Sequence, residues 1–214
     1  SIYGDLAQSI YSYRGIKDWN SVASEIFKDD CSILNLNKSY RTTIEITKNA
    51  NKVLKQLKLN EAEPVIRHGE TITFKNSAKN DKYKISKINE WVNKGYKTIA
   101  IICKTDKESE MVYNSLSKNM TDITHIKAND TDYKGGVFVL TSALSKGLEF
   151  DAVLINDASS KVYDENNMND MHLLYVAETR ALHELSILYD KTICPILSCE
   201  DMIEKQKILA KKTI

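Results

Sequence analysis

Four short segments of this chain gather residue types that can hold phosphates and stack on bases. The first is Gly4-Asp5-Leu6-Ala7-Gln8-Ser9-Ile10-Tyr11-Ser12-Tyr13-Arg14-Gly15. Gln8 is an uncharged amide able to orient a water or reach a phosphate oxygen. Tyr11, Tyr13 and Arg14 set two aromatic faces beside a cation. That set suits base stacking and phosphate contact on single-stranded nucleic acid, and it also reads as a turn with two core tyrosines.

The second segment, Leu36-Asn37-Lys38-Ser39-Tyr40-Arg41-Thr42-Thr43, places Arg41 just before a helix start, where backbone N–H groups favour anions. Arg41 can reach a phosphate there and Tyr40 can stack on a base; the alternative is a solvated loop arginine. The third, Thr141-Ser142-Ala143-Leu144-Ser145-Lys146-Gly147-Leu148-Glu149-Phe150-Asp151, offers Thr141 and Ser142 as hydroxyl donors to a nucleic-acid phosphate. Gly147 permits close backbone approach, and Glu149 can accept from a ribose hydroxyl; a plain polar loop is the alternative. The fourth, Leu173-Leu174-Tyr175-Val176-Ala177-Glu178-Thr179-Arg180-Ala181-Leu182-His183, is apolar nearly all round, as for a buried helix, before Glu178, Thr179 and Arg180 appear together. A guanidinium leaving such a helix needs an anion, either a carboxylate of the protein or a bound phosphate.

The elements that must position these groups alternate. Ile33 to Leu36, Thr98 to Cys103, Val137 to Thr141, Ala152 to Ile155 and Leu185 to Tyr189 are short aliphatic runs that suit strands buried on both faces. Between them, Ile46, Ala50, Val53, Leu54 and Leu57 fall on one helical face, with Thr42 and Glu45 spaced as a capping box. Further helices are predicted over about 83–93, with Ile85, Ile88 and Val92 inward, and over about 107–116. Strand and helix in alternation predict an α/β domain with a mostly parallel sheet. The stretch 60–81, with Pro64 and Gly69, reads as a small irregular insertion, apart from a possible strand at 71–74. Ile2-Tyr3 reads as a strand, so the first segment is expected at the carboxyl end of the sheet, as is the third. A chain that opens on Ser inside a strand suggests a protein that continues upstream.

Composition excludes some classes. With 30 Lys+Arg against 29 Asp+Glu, nucleic-acid contact must come from a local patch rather than global charge. Cys31, Cys103, Cys194 and Cys199 form no CxxC pair, and no His completes a zinc site, so no metal is expected. Reduced thiols and the lack of a signal peptide suit a cytoplasmic protein, and the longest aliphatic run, Ile99 to Cys103, is too short to span a membrane.

Taken in order, the four segments resemble the later motifs of UvrD/Rep-like superfamily 1 helicases: GDxxQSIYxxRG, NYRS/T, KGLEF and LxYVxxTRA. The resemblance runs from about residue 3 to residue 190. It implies the second RecA-like core, a P-loop NTPase-type three-layer domain, of an ATP-dependent DNA helicase. Residues 1–16 would lead out of the first core, 17–196 would form the second, and 197–214 a helical tail. It also implies roles. Gln8 would sense the γ-phosphate, and Arg41 and Arg180 would act as arginine fingers. Tyr40 would stack on adenine and Glu149, beside Gly147, would bind the ribose. Tyr11, Tyr13, Arg14, Thr141 and Ser142 would face single-stranded DNA. Tyr13 stands where the family often has Trp, which reduces the stacking area.

The sequence has no GxxxxGK[ST] phosphate loop and no DExx metal segment ahead of the first motif. The resemblance assigns both, with ATP and Mg²⁺, to a first RecA-like core of the same protein, so the 214 residues alone are expected to be inactive. The large helical insertion of UvrD-type proteins is missing or reduced between Asn51 and Thr141. That short middle resembles the HelD branch, which includes ATPases that act on RNA polymerase. A non-catalytic binding module on a degenerate helicase fold is the remaining alternative.

Overall fold

The computed structural model describes residues 1–10, 16, 18–28, 30–65, 67–128, 130 and 135–198. Its centre is a six-stranded, wholly parallel sheet in the order β3-β8-β7-β4-β6-β5. The strands are β3 (Thr73–Asn76), β4 (Thr98–Cys103), β5 (Ile123–His125), β6 (Gly136–Thr141), β7 (Phe150–Ile155) and β8 (Ala181–Tyr189). Four helices of eleven or thirteen residues cover it: α2 (Ile44–Gln56), α3 (Asp81–Asn93), α4 (Asp106–Leu116) and α5 (Met168–Glu178). A short α1 (Trp19–Glu25) buries none of its residues. A two-residue parallel ladder joins β1 (Lys38–Ser39) to β2 (Glu63–Pro64).

Alternation along the strands makes three layers. Ala100 and Ile102 face a core shared with Ile46, Val53, Leu57, Met171 and Leu174, the inward residues of α2 and α5. Ile99, Ile101 and Cys103 face the opposite core, with Ile88, Trp91, Val112 and Leu116 of α3 and α4. A strand buried on both faces has no room for polar side chains, hence the unbroken aliphatic runs. Each long helix is capped by a side-chain oxygen on a backbone N–H of its first turn: Thr43 to Ile46, Asn80 to Tyr83, Thr105 to Glu108, and Asn167 to Asn169 and Asp170.

Several expectations need correcting. Ile2-Tyr3 and residues 33–36 lie outside any strand, and Leu34 and Leu36 are 87% and 90% exposed. An aliphatic run becomes a strand only where a ladder and a packing face are on offer. The edge beside β8 goes instead to Thr73–Asn76, which overlaps the possible strand expected at 71–74. The cap of α2 is Thr43, not Thr42; Thr42 bonds the Thr47 hydroxyl, and Glu45 accepts from His68 and the Gly69 N–H. On α3, Trp91 is fully buried where Val92 was expected, and Val92 is 50% exposed. Of the helical tail expected over 197–214, residues 199–214, Cys199 included, lie outside the described residues. Of the other cysteines, Cys103 and Cys194 are buried and Cys31 is exposed. Among the described residues no helix is long and apolar enough to cross a membrane.

Candidate functional site

The site forms where four chain segments converge at one side of α5. Residues 6–8 form a single 3-10 turn, capped by Asp5, whose Oδ1 accepts the Ala7 N–H at 2.9 Å. Ala7 and Ile10 are buried, which seats the turn on the domain. The Gln8 amide donates to Asp5 Oδ2 at 2.6 Å. On the other side, β1 carries Tyr40 and Arg41 at its end. That ladder is held from α2: Asn51 Nδ2 donates to the Ala62 carbonyl at 2.9 Å, and Asn51 Oδ1 accepts the Ala62 N–H at 3.0 Å. A cavity of about 410 Å³ lies between, lined among others by Asp5, Gln8, Tyr40, Arg41, Asn51 and Thr179. That volume falls within the range of small-molecule sites.

Arg41 is half-exposed, and its Nε lies 2.5 Å from Glu149 Oε1, whose side chain is equally open. Glu149 follows Gly147, whose φ of +85° is a left-handed conformation that side chains resist. A Cβ there would meet nothing within 4 Å, so backbone conformation rather than crowding accounts for this glycine.

Arg180 differs from Arg41. It is 1% exposed. Nε donates to the Val176 carbonyl at 3.1 Å, Nη1 to the Leu148 carbonyl at 3.1 Å and Nη2 to Thr179 Oγ1 at 3.2 Å. All three acceptors are neutral. Burial, then the neighbouring Arg41 charge, lower its pKa to about 10, with Glu149 opposing. This is a buried cation held by two carbonyls and a hydroxyl, which attract it less than a carboxylate would.

The structure thus brings Gln8, Tyr40, Arg41, Gly147, Glu149 and Arg180 into one neighbourhood. It does not place them at the carboxyl end of the sheet. Glu149 and Arg180 immediately precede β7 and β8, so they sit at the strands' amino ends, and Phe150 N–H donates to the Arg180 carbonyl. Parallel strands require this: the segment leaving β6 must cross the height of the sheet before β7 begins. Thr141 and Ser142 remain at the far end and are buried. Thr141 Oγ1 accepts the Leu144 N–H, and Ser142 Oγ lies 3.3 Å from the Tyr163 hydroxyl and 3.4 Å from the Cys103 carbonyl. Their hydroxyls serve the fold rather than the surface. Tyr11, Tyr13 and Arg14 lie outside the described residues. No group of three or more potential metal ligands occurs among the described residues.

Sequence reasoning missed Asn51 and Asp5. Asn51 left a faint signal, an amide flanking the apolar face of α2; Asp5 had none beyond its place before Gln8.

Residues 136–188 match the family model of the UvrD-like helicase C-terminal domain. Among solved structures, the chain is similar to the C-terminal domain of a possible DNA helicase from Lactobacillus plantarum WCFS1. Identity there is 28% and the TM-score 0.60, over 75% of this chain and 92% of that one. PRRSV helicase (14% identity, TM-score 0.37, 71% of this chain and 28% of that one) is too remote to add to the argument. So is the Pyrococcus furiosus Hef helicase domain (16%, TM-score 0.37, 51% and 24%). No curated protein sequence matches the chain. The fold is RecA-like, and residues 136–188, which carry β6, the Gly147 turn, β7, α5 and Arg180, are similar to the UvrD-like helicase C-terminal domain.

Proposed function

We propose that this domain is the second core of an ATP-dependent DNA helicase or translocase, closing on a nucleotide held by a first core. One observation carries the reading: Gln8, Tyr40 and Arg41 border one cavity of about 410 Å³, with the Arg41–Glu149 pair at its rim. The residues suit a nucleotide. Tyr40, 72% exposed, presents a ring for a base. Glu149 has a carboxylate for ribose hydroxyls once Arg41 leaves it. Arg41 is the accessible cation for the phosphate end, and Arg180, lacking a carboxylate partner, adds positive charge behind it. Bound Mg²⁺ would offset phosphate charge, and its ligands belong to the first core.

Single-stranded DNA contact is assigned to Tyr11, Tyr13 and Arg14, since the Thr141 and Ser142 hydroxyls are committed internally. Nucleotide-driven closure would shift those residues along the strand and so couple hydrolysis to stepping.

Arg41→Ala in the full-length protein tests the reading better than Arg180→Ala, because Arg180 also ties Leu148 to α5. Steady-state hydrolysis should fall by roughly 10³-fold, as for other arginine fingers. A loss under ~10-fold would make Arg41 a surface residue. The 214 residues alone should release no phosphate; turnover of ~1 s⁻¹ would contradict the missing phosphate cradle. Strand displacement, run beside a pull-down of RNA polymerase, distinguishes DNA unwinding from action on the polymerase.

A further inference from the structure

We infer that His172, a residue of α5 outside all the nucleotide contacts above, is the positioning residue for Gln8. The inference rests on the reading of Gln8 as a phosphate sensor. The turn at residues 6–8 cannot fix itself, since one 3-10 turn has too few hydrogen bonds to hold a place. Its own side-chain bonds, from Gln8 and Ala7 to Asp5, are internal to the segment. Two contacts tie it to the rest of the domain by main-chain carbonyls. His172 Nδ1 lies 2.8 Å from the Ala7 oxygen, and Lys146 Nζ donates to the Gln8 oxygen at 2.9 Å. A carbonyl only accepts, so Nδ1 carries the hydrogen. Lys146 is exposed on the Gly147 turn, while His172 is half-buried on a helix packed against the sheet. His172 is therefore the rigid tie. It references Gln8 to the helix whose C-cap, Thr179, directly precedes Arg180, which sets the spacing between the two groups.

Two substitutions separate positioning from bulk. His172→Leu keeps an apolar body and removes the donor. His172→Asn places an amide N–H close to where Nδ1 stands. Hydrogen exchange of the peptide spanning residues 5–10 needs no nucleotide. It should quicken ~10-fold or more in His172→Leu as local opening becomes easier, and stay near wild type in His172→Asn. In the full-length protein, His172→Leu should lower kcat for ATP by ~10-fold, with Asn restoring it, because misplacement of a contacting group is costly. In a Gln8→Ala background the same change should cost less than ~2-fold, the mark of two residues acting as one. Unchanged exchange in His172→Leu, or an equal kcat loss in both backgrounds, would overturn the inference. Undiminished turnover in Gln8→Ala would sink the reading of Gln8 itself, while exchange still decides whether His172 holds the segment.

Discussion

Glu178 makes the stability of this domain depend on pH in a direction opposite to most carboxylates. It is fully buried between α5 and α2. Asn49 Nδ2 donates to Oε2 at 2.9 Å, and Oε1 has no hydrogen-bond partner among the described residues. Burial is the leading influence and lifts the carboxyl from 4.5 to about 8, while the Asn49 bond and the Lys52 charge pull less strongly the other way. The folded state therefore holds a proton that the unfolded chain gives up between about pH 4.5 and 8. Stability from this group is fully present at low pH and is lost as pH rises through that window.

The magnitude follows from linkage. At 1.36 kcal/mol per pH unit, the change between about pH 5 and pH 8 is ~3.5 kcal/mol. Glu178→Gln keeps an oxygen for Asn49, is isosteric with the protonated acid and cannot ionise. Urea unfolding of the domain at about pH 5, 6.5 and 8 should show a small difference between variant and wild type at the acid end. It should show the variant more stable by ~3–4 kcal/mol at the alkaline end, or several degrees in Tm for a domain of this size. A pH-independent difference would mean the carboxyl does not change protonation on folding. A difference of opposite slope, with wild type gaining as pH rises, would mean that Lys52 rather than burial governs Glu178, and the reasoning would fail.

Three further outcomes are expected. Asn51→Leu removes the two-bond clamp on Ala62 and leaves its backbone groups without that partner, so unfolding free energy should drop by ~1–3 kcal/mol, with weaker ATP binding in a titration of the full-length protein. Gly147→Ala forces a side chain into φ +85° and should cost ~1–2 kcal/mol by thermal unfolding, with Gly147→Asn milder, because Asn tolerates that region. Glu184→Ala takes from Lys87 the carboxylate whose Oε1 lies 2.8 Å from its Nζ but leaves it Glu90 Oε1 at 2.9 Å, so it should cost ~1–3 kcal/mol in chemical denaturation near neutral pH.

How much of this was legible in the sequence follows from the range of each determinant. Thr98 to Cys103 reads as a strand because both its faces are buried, and that is written in consecutive residues. The helical face of Ile46, Val53 and Leu57 is equally local. Leu34 and Leu36 carry the same aliphatic signal yet lie open, because pairing depends on whether a partner strand is free, which those residues do not encode. The site divides the same way. Residue types pointed to phosphate contact for Arg41 and Arg180 and to a ribose hydroxyl for Glu149, but not to the ion pair between Arg41 and Glu149. Nor did the pattern around Arg180 show a guanidinium bonded to Val176, Leu148 and Thr179 oxygens, since Leu148 reaches it only through the turn before β7. Arg41 can meet a phosphate by exchanging one carboxylate for another anion, whereas Arg180 can do so only if the Gly147–Glu149 turn moves. On the function proposed above, closure on a nucleotide would have to rearrange that turn before both cations acted together, and the left-handed Gly147 is the residue best able to let it.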